Sequence, residues 1–330
     1  MKLIGLMLYS VYASVPAFIY LFPGIMTYIV FSHIDLAPSN VDLSKPQNLL
    51  NYTSNFYFNV EEGVSVGVWH TLPASQWEDA KGKSPEWYRS TLGDGSPVIL
   101  YLHGQRETRA LGYRVDLVKV LSAAGYHVIS FDYRGFGDST GNPTEAGLTR
   151  DSVSLYHWVK NHSRGLVCVW GHSLGAAVAT NTVVKLQEQG SAVDALVLHA
   201  PFTSFKEVIF TSSFAKFYQY LPGFEKLVCS ILDKINVSFS NDKNVKILTC
   251  PTLFIHSKDD DTVPFEMGVR LFKIALQAKK DNNRNVTVEM ITYSADLGYL
   301  HSHIYRDPNL PNVIGKFLQN LTTSALPPPQ

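Results

Sequence analysis

The sequence predicts an α/β fold with a mostly parallel central sheet and helices on both faces. Three observations carry that prediction. Between residues 97 and 291, short apolar runs alternate with stretches of helical period, the pattern of strands joined by crossover helices. The runs are apolar throughout rather than alternating, as strands buried on both faces require. One of them, residues 166–170, leads through Gly171-His172-Ser173-Leu174-Gly175 into a helical stretch, 174–189, closed by Gly190.

Composition sets the outer bounds. A chain of 330 residues buries a large core, enough for one α/β domain with appendages. Lys+Arg and Asp+Glu both number 28, so nothing points to nucleic acid or another polyanionic partner. Three cysteines exclude a disulfide framework. Cys168 reads as a buried small hydrophobe, and Cys229 and Cys250 could pair in an oxidising compartment. No internal repeat is apparent. The tail, residues 323–330, reads as disordered.

Residues 3–32 carry no charged side chain, long enough to cross a bilayer core of about 30 Å. Three readings compete for this stretch. A cleaved signal would use 3–8 as its apolar region, with cleavage near Ala13. A buried core helix fits poorly with Pro16, Pro23 and the terminal position. The favoured reading is a retained anchor over residues 1–35, spanning at roughly 3–21 and bent near its exit by Pro16 and Pro23-Gly24. Its second half, 17–31, would lie along the membrane interface. Lys2 precedes the run and His33, Asp35 and Asp42 follow it, an asymmetry that sends the body across the membrane. Asn-x-Ser/Thr triplets begin at Asn51, Asn161, Asn236, Asn285 and Asn320, which fits a glycosylated, lumenal body.

The body, 36–322, then reads in order. Residues 64–70 alternate as a half-buried antiparallel strand does. Residues 74–96 are polar and predict a surface loop. Strands are expected at 97–103, 127–133, 166–170, 195–200, 252–256 and 286–291. Helices are expected at 111–124, 148–161 and 174–189. In such sheets the active site lies beyond the carboxyl ends of the strands, where His103-Gly104, the Ser173 turn, residues 259–261 and His301 all fall.

Strand, G-x-S-x-G and helix together describe a nucleophile elbow. The turn is so sharp that the serine is strained and its neighbours two places away must be glycine. Ala176, Ala177 and Ala179 let the following helix approach the sheet. A serine nucleophile needs an acid and then a histidine later in the chain. Asp260 is the chosen acid, since Asp260-x-x-Val263-Pro264 follows a strand; the alternative is that Asp259, Asp260 and Asp261 only solvate a turn. His301 is favoured over His303 as the base. In this scheme His301 takes the proton of Ser173, Asp260 orients the imidazole, and the N–H groups of Leu174 and Gln105 bind the oxyanion. The acyl-enzyme is then hydrolysed by water, and no metal or organic cofactor is required.

The runs Gly171–Gly175, Asp132-Tyr-Arg-Gly-Phe-Gly-Asp-Ser139 and Asp260-x-x-Val-Pro264 resemble the α/β-hydrolase fold. Val68-Trp-His-Thr71, Tyr101-Leu-His-Gly104, Asn241-Asp-Lys-Asn-Val245 and Asp296-Leu-Gly-Tyr299 with His301 look like the α/β-hydrolase domain-containing protein twelve family, over roughly residues 15–320. That family includes a membrane-bound lysophosphatidylserine and monoacylglycerol lipase. The resemblance implies a Ser173-Asp260-His301 triad, a lipid acyl-ester substrate and an endoplasmic-reticulum membrane protein with a lumenal catalytic body. The chain departs from the pattern at Gln105-Arg-Glu-Thr-Arg109, where the family's loop is small and glycine-rich. It also has little sequence ahead of its apolar segment, which points to a less characterised paralogue.

Residues 202–248 hold many aromatics, among them Phe205, Phe214 and Phe217, and are read as a cap lining the acyl site; simple packing on the sheet is the alternative. Arg106 or Arg109 would meet an anionic head group, against the plainer reading of surface charge. The same triad would serve a peptidase or thioesterase, and a non-catalytic interaction protein is the rival from another class.

Overall fold

The computed structural model describes residues 2–33, 41–106 and 108–324. Most of the expected tail, from 325 onward, lies outside the described residues, as do Asp35 and Glu107. In chain order the elements begin with α1 (Lys2–Leu21) and α2 (Gly24–Phe31), then β1 (Thr53–Glu61), β2 (Val64–Thr71), α3 (Pro85–Thr91), β3 (Val98–Leu102) and α4 (Gly112–Ala123). The region around Ser173 follows as β4 (His127–Phe131), α5 (Glu145–His162), β5 (Val167–His172), α6 (Leu174–Glu188) and β6 (Ala195–His199). Next come α7 (Phe205–Thr211), α8 (Ser213–Tyr218), α9 (Phe224–Lys234) and α10 (Asn241–Asn244). The chain ends with β7 (Thr252–Ser257), α11 (Phe265–Asp281), β8 (Val288–Tyr293) and α12 (Leu310–Ser324).

Among the described residues the strands form one eight-stranded sheet in the order β1-β2-β4-β3-β5-β6-β7-β8. Pairs from β4 onward are parallel, while β1-β2 and β2-β4 are antiparallel. Each central strand feeds two cores. Val167 and Val169 of β5 point into one, with α5, α6 and α11, and Cys168 and Trp170 into the other, with α4 and α12. The mostly parallel, doubly covered sheet is therefore the one the sequence predicts. The chain leaves β4 on one side of β3 and resumes at β5 on the other. That reversal opens a crevice above β3 and β5.

Two regions differ from the sequence expectation. Residues 53–61 form the edge strand β1. Residues 74–96 are not a plain loop: Ser84 caps α3 through the Trp87 N–H, and Pro85 sits at its first turn, a favoured start for a helix. No single helix among the described residues is long and apolar enough to cross a membrane; Ser10–Leu21 and Gly24–Phe31 pass together but bend by 91°. The break falls at Phe22-Pro23, while Pro16 stays inside α1. The three cysteines are free.

Burial also sets how stability depends on pH. His70, His103, His172 and His199 are all buried, and burial holds their imidazoles well below the usual histidine range. Below pH about 6.5 the unfolded chain binds protons that the folded chain refuses. Stability is thus complete above that pH and lost as pH falls, by about 1.4 kcal/mol per pH unit for each histidine. The melting temperature is expected to fall steadily from pH 7 to pH 5; a flat profile would refute neutral burial.

Candidate active site

The elbow is built as its sequence requires. Ser173 has φ 55° and ψ −116°, a backbone region that costs a side-chain-bearing residue about 1–3 kcal/mol. A Cβ on Gly171 would lie 2.2 Å from the Gly175 carbonyl oxygen, and one on Gly175 would lie 2.0 Å from that of Leu102. Only glycine fits at either place. The Ser173 N–H donates to His199 O at 2.9 Å, which ties the turn to β6. Leu174 is the first residue of α6, so its N–H has no acceptor within the helix.

Asp260 and His301 meet beside this turn. His301 Nδ1 donates to Asp260 Oδ2 at 2.8 Å. The His301 carbonyl is 2.9 Å from His172 Nε2, next in the chain to Ser173. Among the described residues, Ser173 Oγ and His301 Nε2 make no hydrogen bond, an arrangement that substrate commonly tightens. Of the other two aspartates, Asp259 bonds Ser257 Oγ and the Leu300 N–H, and Asp261 is exposed. His303 is not bonded to Asp260; its N–H donates to Tyr299 O.

One partner of the acid escapes motif reading. His256 Nε2 lies 3.0 Å from Asp260 Oδ2 and 3.1 Å from Val263 O. Both are acceptors, so that nitrogen carries the proton. The Thr262 and Val263 N–H groups bond Oδ1 at 2.9 and 2.8 Å. Burial alone would push the Asp260 carboxyl up. The bonds and charges of His256 and His301 outweigh that and hold it well below the usual carboxylate range. The signal for His256 was its spacing four residues before Asp260, at the end of a strand.

The loop after β3 is held from beneath. The buried Arg114 guanidinium donates to the carbonyls of Gly104, Gln105, Arg106 and Thr108 at 2.8–3.1 Å. A planar trans peptide points its C=O and N–H in opposite directions. Fixing Gly104 O on Arg114 therefore turns the Gln105 N–H away from Arg114, and that N–H has no partner among the described residues. A Cβ on Gly104 would stand 3.3 Å from Ser173 Cβ, so the loop approaches Ser173 closely.

The two candidate head-group arginines separate. Arg106 is exposed. Arg109 is 1 % exposed, which corrects both readings of it, as a head-group ligand and as a surface charge. Its guanidinium reaches Asp132 at 2.5 Å and Asp138 at 2.7 Å, bonds Asn55 and lies over Trp69. Removing one partner of such a buried pair costs about 3–5 kcal/mol. Arg109 is a structural ion, not a substrate contact.

A cavity of about 610 Å³ lies between α2 on one side and Phe205, Val208, Ile209, Phe214 and Val228 on the other, with Gln105 and Arg106 at its edge. Part of the 202–248 segment thus lines this cavity, whereas Phe202, Tyr218 and Phe224 pack in the core. Phe217 is not in the wall; its ring meets Tyr12 of α1, with centroids 5.2 Å apart.

Residues 95–245 match the serine aminopeptidase S33 family of hydrolases. Among solved structures, the Pyrococcus furiosus esterase Pf2001 aligns with a TM-score of 0.60 at 17% identity, over 86% of this chain and 96% of that one. An alpha-beta hydrolase from Vibrio vulnificus aligns with a TM-score of 0.60 at 17% identity, over 91% of this chain and 92% of that one. These likenesses establish the α/β-hydrolase fold. Lysophosphatidylserine lipase ABHD12 of Danio rerio is 43% identical over 94% of this chain and 82% of its own length. Protein ABHD12B of Homo sapiens is 44% identical over 94% of this chain and 85% of its own. Identity at that level over nearly the whole chain places it, as a lipid-ester-hydrolase relative with the elbow and crevice described above, in the ABHD12 family of α/β-hydrolases.

Proposed function

We propose that this chain is a lipase that hydrolyses the acyl ester of lysophosphatidylserine, and of monoacylglycerol, through Ser173, His301 and Asp260. The observation that carries this reading is the bond from His301 Nδ1 to Asp260 beside a strained Ser173, in a family that includes proteins named lysophosphatidylserine lipase. Ser173 attacks the acyl carbonyl while His301 Nε2 accepts its proton. The N–H groups of Leu174 and Gln105 stabilise the oxyanion. His301 then protonates the departing glycerol hydroxyl, and water, activated by the same imidazole, releases the fatty acid. The neighbouring His172 and His199, kept neutral by burial, put no competing positive charge beside the imidazolium. Fatty-acid release from both lipids by membranes expressing the chain, beside the serine variant discussed below, tests the assignment.

The exposed Arg106 guanidinium at the cavity edge suits the phosphate and carboxylate of the head group. Arg106→Ala is expected to lower kcat/KM for lysophosphatidylserine about tenfold more than for neutral monoacylglycerol. Equal losses would reject the contact.

The charge-free N-terminal segment supports anchoring in the endoplasmic-reticulum membrane with the body in the lumen. All five sequon asparagines are exposed, so each is sterically open to glycosylation. Endoglycosidase treatment is expected to increase gel mobility, and unchanged mobility would argue against lumenal exposure.

A further inference from the structure

We propose that α2 is a working part of the lipid site: it walls the acyl-chain cavity and holds the side chain of Gln105, so that the loop beside Ser173 stays in register. The inference rests on the reading of the chain as an acyl-ester hydrolase and adds a substrate-binding role to a segment whose favoured sequence reading is an anchor.

Two observations carry it. The first is the cavity itself. Ile25, Met26 and Ile29 of α2 face Phe205, Val208 and Ile209 of α7 across about 610 Å³, a volume within the about 300–1,000 Å³ typical of small-molecule sites. Without α2 this space would be an open apolar shelf. The second is a reciprocal cap. A helix leaves its last carbonyls without partners. At the end of α2 the Gln105 side-chain amide donates to Ile29 O, at 2.7 Å, and to Val30 O. The Arg106 N–H reaches Phe31 O at 3.5 Å. The loop that approaches Ser173 therefore closes α2, and α2 in turn fixes the loop's outer side, while Arg114 fixes its inner side.

Packing makes this more than contact. Val30 and Phe31 are essentially unexposed, and Phe31 meets Phe239 edge-on. Further back, Tyr12 of α1 stacks on Tyr218 with centroids 4.7 Å apart and donates to Phe217 O at 2.7 Å. α2 and the 202–248 segment thus line one cavity, and α1 packs on the same segment through Tyr12. Apolar walls with a guanidinium at the edge select an amphiphile with a long acyl chain and a polar or anionic head.

The test uses the full-length chain in membranes. Two esters are compared, a long-chain monoacylglycerol and p-nitrophenyl butyrate, together with the melting temperature of each variant. Gln105→Leu removes the donors at similar size and is expected to lower kcat about 10–100-fold on both esters, with KM little changed. Gln105→Lys, which restores a donor of similar reach, is expected to recover part of that loss. Ile29→Trp fills the cavity and is expected to lower the ratio of long-chain to short-chain kcat/KM at least about tenfold. Ile25→Phe, a smaller change in the same wall, serves if Ile29→Trp does not fold. Gln105→Leu with kcat within about twofold of wild type, or cavity filling that slows both esters equally, would overturn the proposal. Wild type lacking any Ser173-dependent hydrolysis would overturn the hydrolase reading instead. A fluorescent fatty acid then decides α2 separately, since Ile29→Trp must still weaken its binding; unaltered binding would reject the wall.

Discussion

Ser173→Ala is expected to abolish hydrolysis of lysophosphatidylserine and monoacylglycerol in a chain that still folds. The loss should approach about 10⁶-fold in kcat, the scale observed when a triad serine is removed. KM for any residual turnover should change little, because the cavity and the Leu174 and Gln105 donors stay in place. Alanine keeps a Cβ, so the backbone strain at φ 55° remains. Ser173→Gly relieves it, and should be more stable than Ser173→Ala by about 1 kcal/mol while equally inactive. The pair separates chemistry from folding: activity is lost in both, and the melting temperature is higher in the glycine variant. Retention of more than about a hundredth of wild-type activity by Ser173→Ala would move the nucleophile elsewhere.

That contrast is legible in the sequence because the elbow is largely a local device. A Cβ on Gly171 would collide with Gly175 within the same turn, so spacing reports that part of the geometry, whereas one on Gly175 would collide with Leu102 of β3. The parallel sheet was legible for a similar reason, since strands such as 98–102 and 195–199 are buried on both faces and read as continuous apolar runs. The edge strand β1 was not. Its residues alternate between intermediate and exposed over most of its length, and Phe56, Phe58 and Val60 hold only a period of two rather than a continuous apolar run.

Arg109 and the N-terminal helices show a deeper limit. Arg109 reads as a loop cation because its partners Asp132, Asp138 and Asn55 are 23, 29 and 54 residues away in sequence. Only the fold brings two carboxylates to it. For α2, a charge-free apolar segment satisfies a bilayer and a protein cavity alike, and composition cannot separate them. Gln105 illustrates the same point. As a bulky polar residue it departs from the small residues expected in the loop beside Ser173. The carbonyls that explain its side chain belong to a helix about 75 residues earlier.

Asp260→Asn is expected to cost nearly as much as loss of the serine, about 10⁴-fold in kcat, and the hydrogen bonds say why. Oδ1 is fixed as an acceptor by two backbone donors, the Thr262 and Val263 N–H groups. An asparagine must therefore keep its oxygen there and present its NH₂ where Oδ2 stood. That NH₂ faces His301 Nδ1 and His256 Nε2, both of which donate to the carboxylate. His301 Nδ1 also lies 3.0 Å from Oδ1, so the imidazole is divided between donating to the amide oxygen and accepting from the NH₂ at its shorter contact; accepting moves its proton to Nε2, the nitrogen that must accept from Ser173. The imidazole is then in the wrong tautomer for a general base. His256, whose proton is shared with Val263 O, keeps a partner. His256→Leu should accordingly lose much less, about 10–100-fold, with the tautomer of His301 preserved. A fluorophosphonate that labels Ser173 reads the same order: wild type fastest, His256→Leu slower, Asp260→Asn nearly inert. If Asp260→Asn labelled as fast as wild type, the orienting acid would have to be Asp259, the next nearest carboxylate bonded to the His301 loop through the Leu300 N–H.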